Sequence, residues 1–207
     1  PKKQLVENDR FGDLKDDQPR AVVTKKKSEL EGIEFTKDTG AEITFNVDLP
    51  LIAQDVDDVR VALPGGGAAW IDVSDVDVYD TDGKPEKPSG DDLVETAKKF
   101  DGLRYLWAGV SPYGFDCSGF TYSIYRAHGI DIPRDSGEQA TTGKKVAEGD
   151  LKAGDLLFFS TSSGTVHHVG MYVGDGKMIH SPNASKDVYV TDWKSWDTGN
   201  ELSLIHI

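Results

Sequence analysis

The pattern of hydrophobic and polar positions changes character midway along the chain. Apolar and polar residues alternate with a period of two over residues 43–47 and again over residues 59–63. Pro64-Gly65-Gly66-Gly67 then signals a turn, after which residues 69–73 run back as a further β-rich segment. Several short strands with no pattern of helical length are typical of a small barrel. Residues 21–79 are therefore predicted to form an all-β domain.

The second part of the chain has helical patterns first and strand patterns afterwards. Ser89 and Asp92 have the spacing of a capping box, and apolar side chains follow at helical spacing over residues 93–100 and again over residues 120–127. Strand patterns come next, at residues 156–159, 169–173, 178–180, 188–190 and 202–205. Helices followed by an antiparallel sheet are an α+β order.

Two segments are predicted to lie outside these domains. Residues 1–20 are polar and patternless, and we interpret them as a linker or the remnant of an upstream domain. Residues 80–90 are rich in Gly, Pro and charge, which indicates a linker between domains. The second domain is therefore predicted to cover residues 91–207.

Composition and charge narrow the classes of partner. The 207 residues carry a net charge of -13, which disfavours binding to nucleic acid or anionic lipid. There is no apolar run of the roughly 20 residues that a membrane-spanning helix needs. The one cysteine, Cys117, excludes an internal disulfide and a multi-cysteine zinc site. We expect a monomer without a metal or other cofactor.

Cys117 is a candidate nucleophile because of its position at the start of a helix. Asp116 is suited to cap that helix, and the helix dipole would favour a thiolate on Cys117. The alternative is an inert buried cysteine, which is the commoner case for a free thiol.

A nucleophilic cysteine needs a base, and two histidines stand on one predicted hairpin. His168 begins a strand, His180 ends the next, and Gly174-Asp175-Gly176 lies between them. A three-residue loop would place both imidazoles on one sheet face with Gly170 beneath them, whereas a two-residue loop would separate them. The pair could also bind a metal, but no further residue at ligand spacing supports this.

Six motifs in order resemble the NlpC-type cysteine peptidase family. They are Tyr105–Gly109, Asp116–Phe120, Pro133–Gln139, Gly154–Phe159, His168–Gly174 and His180. The resemblance implies a papain-like catalytic fold over about residues 90–207. Residues 21–79 resemble a bacterial SH3-like barrel, and the combination is most similar to γ-D-glutamyl-L-diamino acid endopeptidases.

This resemblance implies hydrolysis of cell-wall peptides between D-Glu and a diamino acid, with a free N-terminal L-Ala required. Cys117 would be the nucleophile, His168 the base, His180 its orienting group, and Tyr105 a donor to the scissile carbonyl. The substrate pocket would be lined by Asp116, Ser118, Trp107, Asp135, Ser136 and His167.

Two alternatives remain open at the level of sequence. One is an amidase of the same fold that cuts the sugar–L-Ala bond, and the other is a wall-binding module without activity. Residue 1 is Pro and no basic-then-apolar leader follows it. The sequence therefore leaves open both a cytoplasmic recycling role and a secreted, wall-associated one, as well as the choice between Lys and diaminopimelate.

Overall fold

The computed structural model describes residues 3–4, 19–31, 42–64, 66–79, 88–196 and 201–206. The chain separates into two compact units, residues 1–86 and residues 87–207. Each unit is described by itself.

The first unit is built from short antiparallel strands around one apolar core. The strands are β1 (Lys3–Gln4), β2 (Arg20–Val23), β3 (Lys27–Glu29), β4 (Glu42–Thr44), β5 (Asp48–Gln54), β6 (Asp58–Ala62), β7 (Ala68–Asp72) and β8 (Val76–Tyr79), with a 3₁₀ turn at Val73–Asp75. The main sheet has the order β7-β6-β5-β2-β8, β1 pairs with β5, and β3 pairs with β4. Its core is formed by fully buried Val23, Leu51, Val59, Val61 and Ile71.

The alternation over residues 43–47 was expected to be one strand, and this is wrong. β4 ends at Thr44, Asn46 takes a positive φ of 67°, and a new strand β5 begins at Asp48. The sequence did not predict β5, because its residues from Leu49 to Ala53 are all buried and so do not alternate as those of a half-buried strand do. Within the predicted linker 1–20, residues 3–4 pair with β5, while residues 5–18 lie outside the described residues.

The second unit has the predicted α+β order. Its elements are α1 (Gly90–Lys98), β9 (Val110–Ser111), β10 (Gly114–Phe115), α2 (Cys117–Ala127), α3 (Ser136–Gln139), β11 (Lys144–Lys145), β12 (Leu156–Ser160), β13 (Val166–Gly174), β14 (Lys177–His180), β15 (Tyr189–Asp192), α4 (Trp193–Trp196) and β16 (Glu201–His206), with a 3₁₀ turn at Glu148–Asp150. The antiparallel sheet runs β11-β16-β12-β13-β14-β15. The helix α4 was not predicted.

The core of the second unit positions the start of α2. The predicted capping box of Ser89 and Asp92 is present at the start of α1. Phe115 stands just before α2 and packs edge-to-face against Phe100 at 5.2 Å and Phe120 at 5.7 Å between ring centroids. All three rings are fully buried, so they hold the loop that carries residue 116 into the helix.

Among the described residues, none of the helices combines the length and the apolar character that crossing a membrane requires.

Candidate active site

Cys117 is the first residue of α2, and its sulfur lies beside the backbone of β13. Asp116 caps the helix as predicted, accepting the Gly119 N–H at 2.7 Å. The backbone N–H groups of Val169, Ser118 and Cys117 itself point at the sulfur and lower the pKa of the thiol. Since Val169 directly follows His168, the fold brings the sulfur to the strand that carries the candidate base.

The balance of effects on the sulfur nevertheless favours the neutral thiol. Burial, and after it the neighbouring charge of Asp116, raise the pKa of Cys117 above its ordinary value. The N–H groups at the helix start thus lower the pKa of the thiol, in the expected direction, but the net shift is upward. Desolvation outweighs the N–H groups because most of the side chain is removed from water.

The hairpin of β13 and β14 has a different turn from the predicted one but the predicted register. Asp175 and Gly176 form a two-residue loop with positive φ values of 50° and 71°, and Gly174 pairs with Lys177. The pairing then shifts, so that Tyr172 faces Met178 and Val173 is an extra residue on its strand. A bulge of one residue adds the same offset as a third loop residue. The expected three-residue loop is wrong, yet the bulge still places the side chains of His168 and His180 on the same face of the sheet.

His168 and His180 consequently meet on one face of the sheet. Nε2 of His168 lies 2.8 Å from Nδ1 of His180, and both side chains are buried. Gly170 leaves room for this contact, because a Cβ there would lie 2.6 Å from the Met178 sulfur and 3.3 Å from the His180 Cβ. Only Nδ1 of His168 remains available for a proton from Cys117.

Both imidazoles are neutral near neutral pH. Burial lowers the pKa of His168 well below its usual range, with further contributions from the charges of His180 and His167. Burial, and the nearby charge of Lys186, lower the pKa of His180 to about 3. A neutral thiol beside a neutral imidazole fits general-base activation better than a preformed ion pair.

Asp116 and Ser118 belong to a buried polar network centred on Arg134. The Arg134 guanidinium donates to Asp116 Oδ2 at 2.6 Å and to Ser118 Oγ at 3.0 Å. Gln139 adds a hydrogen bond to the Ser118 carbonyl at 3.1 Å. The sequence interpretation gave Arg134 no role, although it is the second residue of the motif Pro133–Gln139.

Tyr105 is half-buried near the nucleophile. Its pKa is raised by burial and then by the charges of Cys117 and Asp116, which places the phenol within electrostatic range of the sulfur. A parallel bridge between Tyr105 and Phe115 fixes its backbone next to the start of α2.

The remaining four predicted pocket residues are exposed or half-buried. Trp107 is 83% exposed, so it is not a core residue. Asp135 is the exposed N-cap residue of α3 but makes no side-chain capping hydrogen bond, and Ser136, the first residue of the helix, is half-buried. His167 is exposed next to buried His168.

Trp196 is the aromatic neighbour of both histidines that the sequence interpretation missed. Its ring lies 4.4 Å from His168 and 4.8 Å from His180, and Phe159 packs on it at 5.0 Å. No motif pointed to it, because it reaches the pair through the unpredicted helix α4.

Within the part of the chain that the structure describes, no three His, Cys, Asp or Glu side chains come together in a group that could hold a metal ion.

Comparison with known proteins decides the family. Residues 102–199 match the model of the NlpC/P60 family, and residues 23–79 match the YKFC SH3b2 domain. The solved NlpC/p60 domain of the peptidoglycan hydrolase SagA is 35% identical and is covered over 100% of its length, which is 58% of this chain, with a TM-score of 0.52. The chain belongs to the NlpC/P60 family. The resemblance and the fold class inferred from the sequence are confirmed.

Two relatives from Bacillus cereus match almost the whole of this NlpC/P60 chain. One is a protein named gamma-D-glutamyl-L-lysine dipeptidyl-peptidase, 46% identical over 92% of this chain and 57% of its own length. The other is the crystal structure of an NlpC/P60 family protein, 41% identical with a TM-score of 0.87, covering 96% of this chain and 66% of that one. The chain thus spans little more than half the length of the curated relative.

Proposed function

We propose that this chain is the catalytic part of a cysteine endopeptidase that cuts cell-wall peptides between γ-D-Glu and a diamino acid. The observation that carries the proposal is the 2.8 Å contact between His168 Nε2 and His180 Nδ1. His168 lies on β13, where the N–H of the next residue, Val169, points at the Cys117 sulfur. The relative named gamma-D-glutamyl-L-lysine dipeptidyl-peptidase supports this choice of bond over that of a sugar–peptide amidase.

The proposed reaction begins with a proton transfer from Cys117 to Nδ1 of His168. The thiolate attacks the γ-carbonyl of D-Glu, and the charge that develops on its oxygen is stabilised by the N–H of Cys117 and the Tyr105 hydroxyl. His168 returns the proton to the leaving amine as the C–N bond breaks. Water, activated by His168, then hydrolyses the thioester and restores the thiol.

The proton transfer needs no charge separation before the substrate arrives. The thiol and the imidazole are both held neutral by burial. His168 is charged only while the sulfur is bonded to the substrate. Nδ1 of His180 can then accept a hydrogen bond from the Nε2–H of the charged His168. This assigns His180 to orientation and His168 to proton transfer.

For the substrate's free amine, we propose a subsite around Asp116, Ser118, Asp135, Ser136, Trp107 and His167. The Arg134 guanidinium already neutralises one oxygen of Asp116, and the Gly119 N–H occupies the other. An ammonium would therefore join a carboxylate whose charge is already balanced by Arg134, so selectivity for the amine would depend also on exposed Asp135.

In the proposed domain organisation, residues 21–79 form the SH3-like barrel, 91–207 form the peptidase domain, and 1–20 and 80–90 are linkers.

Product analysis tests the proposed function. L-Ala-γ-D-Glu-L-Lys should be cut to L-Ala-γ-D-Glu and L-Lys, with the same peptide bearing diaminopimelate as a parallel substrate. The ratio of kcat/KM for the free and N-acetylated tripeptide measures the amine subsite. Release of L-Ala-containing peptide from a muramoyl peptide, with the tripeptide left intact, would instead show an amidase. No turnover of any of them would point to a binding module.

A further inference from the structure

The Arg134 side chain binds the two residues that flank Cys117 in the sequence. Its Nη2 donates to Asp116 Oδ2 at 2.6 Å, and its Nη1 donates to Ser118 Oγ at 3.0 Å. The Arg134 side chain is 31% exposed and that of Asp116 is 11% exposed. The two charges therefore form a partly buried ion pair at the start of the helix that carries the nucleophile.

The segment that carries Arg134 is itself anchored to the same helical turn. The side-chain amide of Gln139 is fully buried and donates to the Pro133 carbonyl at 2.8 Å and to the Ser118 carbonyl at 3.1 Å. Its oxygen accepts a hydrogen bond from Thr121 Oγ1 at 2.9 Å. The backbone next to Arg134 is thus held against α2, so the guanidinium approaches the helix from a fixed position.

Gly119 leaves the room that the ion pair occupies. A Cβ at this position would lie 2.0 Å from the Gly109 carbonyl oxygen, 2.9 Å from Asp116 Oδ1 and 3.1 Å from Arg134 Nη2. The backbone N–H of Gly119 donates to Asp116 Oδ1 at 2.7 Å. Each oxygen of the carboxylate therefore has its own partner, one from the helix and one from the arginine, and a rotation of the carboxylate would break both hydrogen bonds.

The charge of this carboxylate acts on the sulfur. Burial, and after it the negative charge of Asp116, raise the pKa of Cys117. Two other titratable groups near the sulfur are neutral at pH 7, because burial raises the pKa of Tyr105 and lowers that of His168. The positive charge of Arg134 reaches the same space, since it acts on the Tyr105 phenol in the direction that lowers its pKa.

We propose, on the basis of the peptidase mechanism above, that Arg134 is a positioning residue for Cys117: it fixes the Asp116 carboxylate as the cap of α2 and balances its negative charge beside the sulfur. The thiolate that attacks the substrate is a second negative charge at the same place. Without Arg134, two like charges would lie side by side and the thiolate would be harder to form. Arg134 therefore favours the proton transfer from Cys117 to His168, acting through Asp116.

Alkylation of Cys117 by iodoacetamide tests the proposal without any substrate. Arg134→Met removes the charge and keeps an unbranched side chain, so the curve of alkylation rate against pH should move to higher pH. At pH 7 the rate should fall about tenfold, the effect of losing one neighbouring opposite charge on the ionisation of a thiol. Arg134→Lys, which keeps the charge, should restore most of the rate. A wild-type curve in Arg134→Met, or an equal loss in Arg134→Lys, would overturn the proposal.

Arg126→Met is the matched control, because it removes an arginine from the other end of α2. Arg126 Nη1 donates to Tyr122 Oη at 2.9 Å, in the last turns of the helix. The alkylation curve of this variant should match that of the wild type. A shift as large as that of Arg134→Met would show a general effect of net charge and overturn the proposal.

A second pair of variants decides the case in which Arg134→Met does not fold, since it leaves a buried carboxylate without its cation. Asp116→Asn keeps a cap for α2 and removes the negative charge, and adding Arg134→Met to it removes both members of the ion pair. Alkylation should be faster in Asp116→Asn than in the wild type, and slower in the double variant than in Asp116→Asn. Equal rates in the single and the double variant would overturn the proposal.

Turnover of the tripeptide L-Ala-γ-D-Glu-L-Lys gives a readout that depends on the proposed function. In Arg134→Met, kcat should fall while KM does not rise, because the carboxylate of Asp116 is then freer to bind the ammonium of the substrate. A raised KM with an unchanged kcat would contradict a role at Cys117. Absence of turnover in the wild type would defeat the proposed function alone, because the alkylation rates test Arg134 without it.

Discussion

At the scale of single residues, the protonation states at rest are determined by burial. The Cys117 thiol is shifted towards higher pKa and the two imidazoles towards lower pKa, so all three favour their neutral forms. Sequence predicted Cys117, His168 and His180 as the catalytic residues because of their types and spacing. It pointed to the N–H groups that lower the pKa of the sulfur but not to the larger effect of burial, because a helix start is visible in sequence whereas desolvation depends on the packed structure.

The raised pKa of Cys117 predicts how the free enzyme reacts with an alkylating reagent. The rate of alkylation by iodoacetamide should keep rising with pH beyond 9.0, the ordinary pKa of a cysteine, because only the thiolate reacts. Mass spectrometry of the intact protein over time measures this rate. A rate that is already at its plateau at about pH 6 would indicate a preformed ion pair and contradict the neutral resting state.

The two histidines should differ in how much rate their loss removes. His168→Ala deletes the base and should reduce kcat by about 10²–10⁴-fold. His180→Ala removes only the orienting contact at 2.8 Å, so the loss should be clearly smaller. Steady-state kinetics on the tripeptide measure both, and equal losses would show that the two imidazoles share the proton transfer.

At the scale of elements, the catalytic geometry depends on one hairpin. Sequence located both strands and the parity that places His168 and His180 on one sheet face, but it could not tell a three-residue loop from a two-residue loop with a bulge at Val173. Both solutions satisfy the same hydrophobic alternation. Helix α4 was missed for a related reason: a single turn has no periodicity to detect, yet it carries Trp196 to the pair.

The close packing at Gly170 offers a test of the hairpin. Gly170→Ala would place a Cβ 2.6 Å from the Met178 sulfur, which must move aside, and 3.3 Å from the His180 Cβ, which must give by a few tenths of an ångström, so the histidine contact should be distorted. We expect kcat to fall severalfold, roughly the effect of misplacing a catalytic group by a fraction of an ångström. Gly149→Ala is the control, because its Cβ would meet nothing within 4 Å. Wild-type kcat in Gly170→Ala would contradict this account of the register.

At the scale of the whole molecule, two compact units share the chain, and the second buries two histidines whose lowered pKa values favour the neutral form. The SH3-like unit and the NlpC/P60 unit were both recognisable from the sequence, because the spacing of strand patterns and the order of motifs can be read without knowing any contact. The polar network of Arg134, Asp116 and Ser118 was not, because it joins residues that are distant in sequence through side-chain geometry.

The buried neutral histidines make the stability of the protein depend on pH, with lower stability in acid. The pKa values of His168 and His180 in the folded state lie below 6.5, their ordinary value, so their contribution to stability is present above that pH and is lost as pH falls towards 3. The Tm should therefore decrease from about pH 6 downwards. His180→Gln cannot be protonated there and should have a shallower decrease, measured by thermal unfolding at a series of pH values. Parallel curves for the two proteins would contradict the assignment.

The central claim, that Cys117 performs the hydrolysis, is tested most directly by the turnover of L-Ala-γ-D-Glu-L-Lys by Cys117→Ala. The account predicts that this variant has no measurable turnover and a Tm close to that of the wild type, because the thiol contributes chemistry rather than packing. It also predicts that a chelator leaves the wild-type rate unchanged. Turnover by Cys117→Ala at a rate comparable with the wild type would contradict the cysteine mechanism.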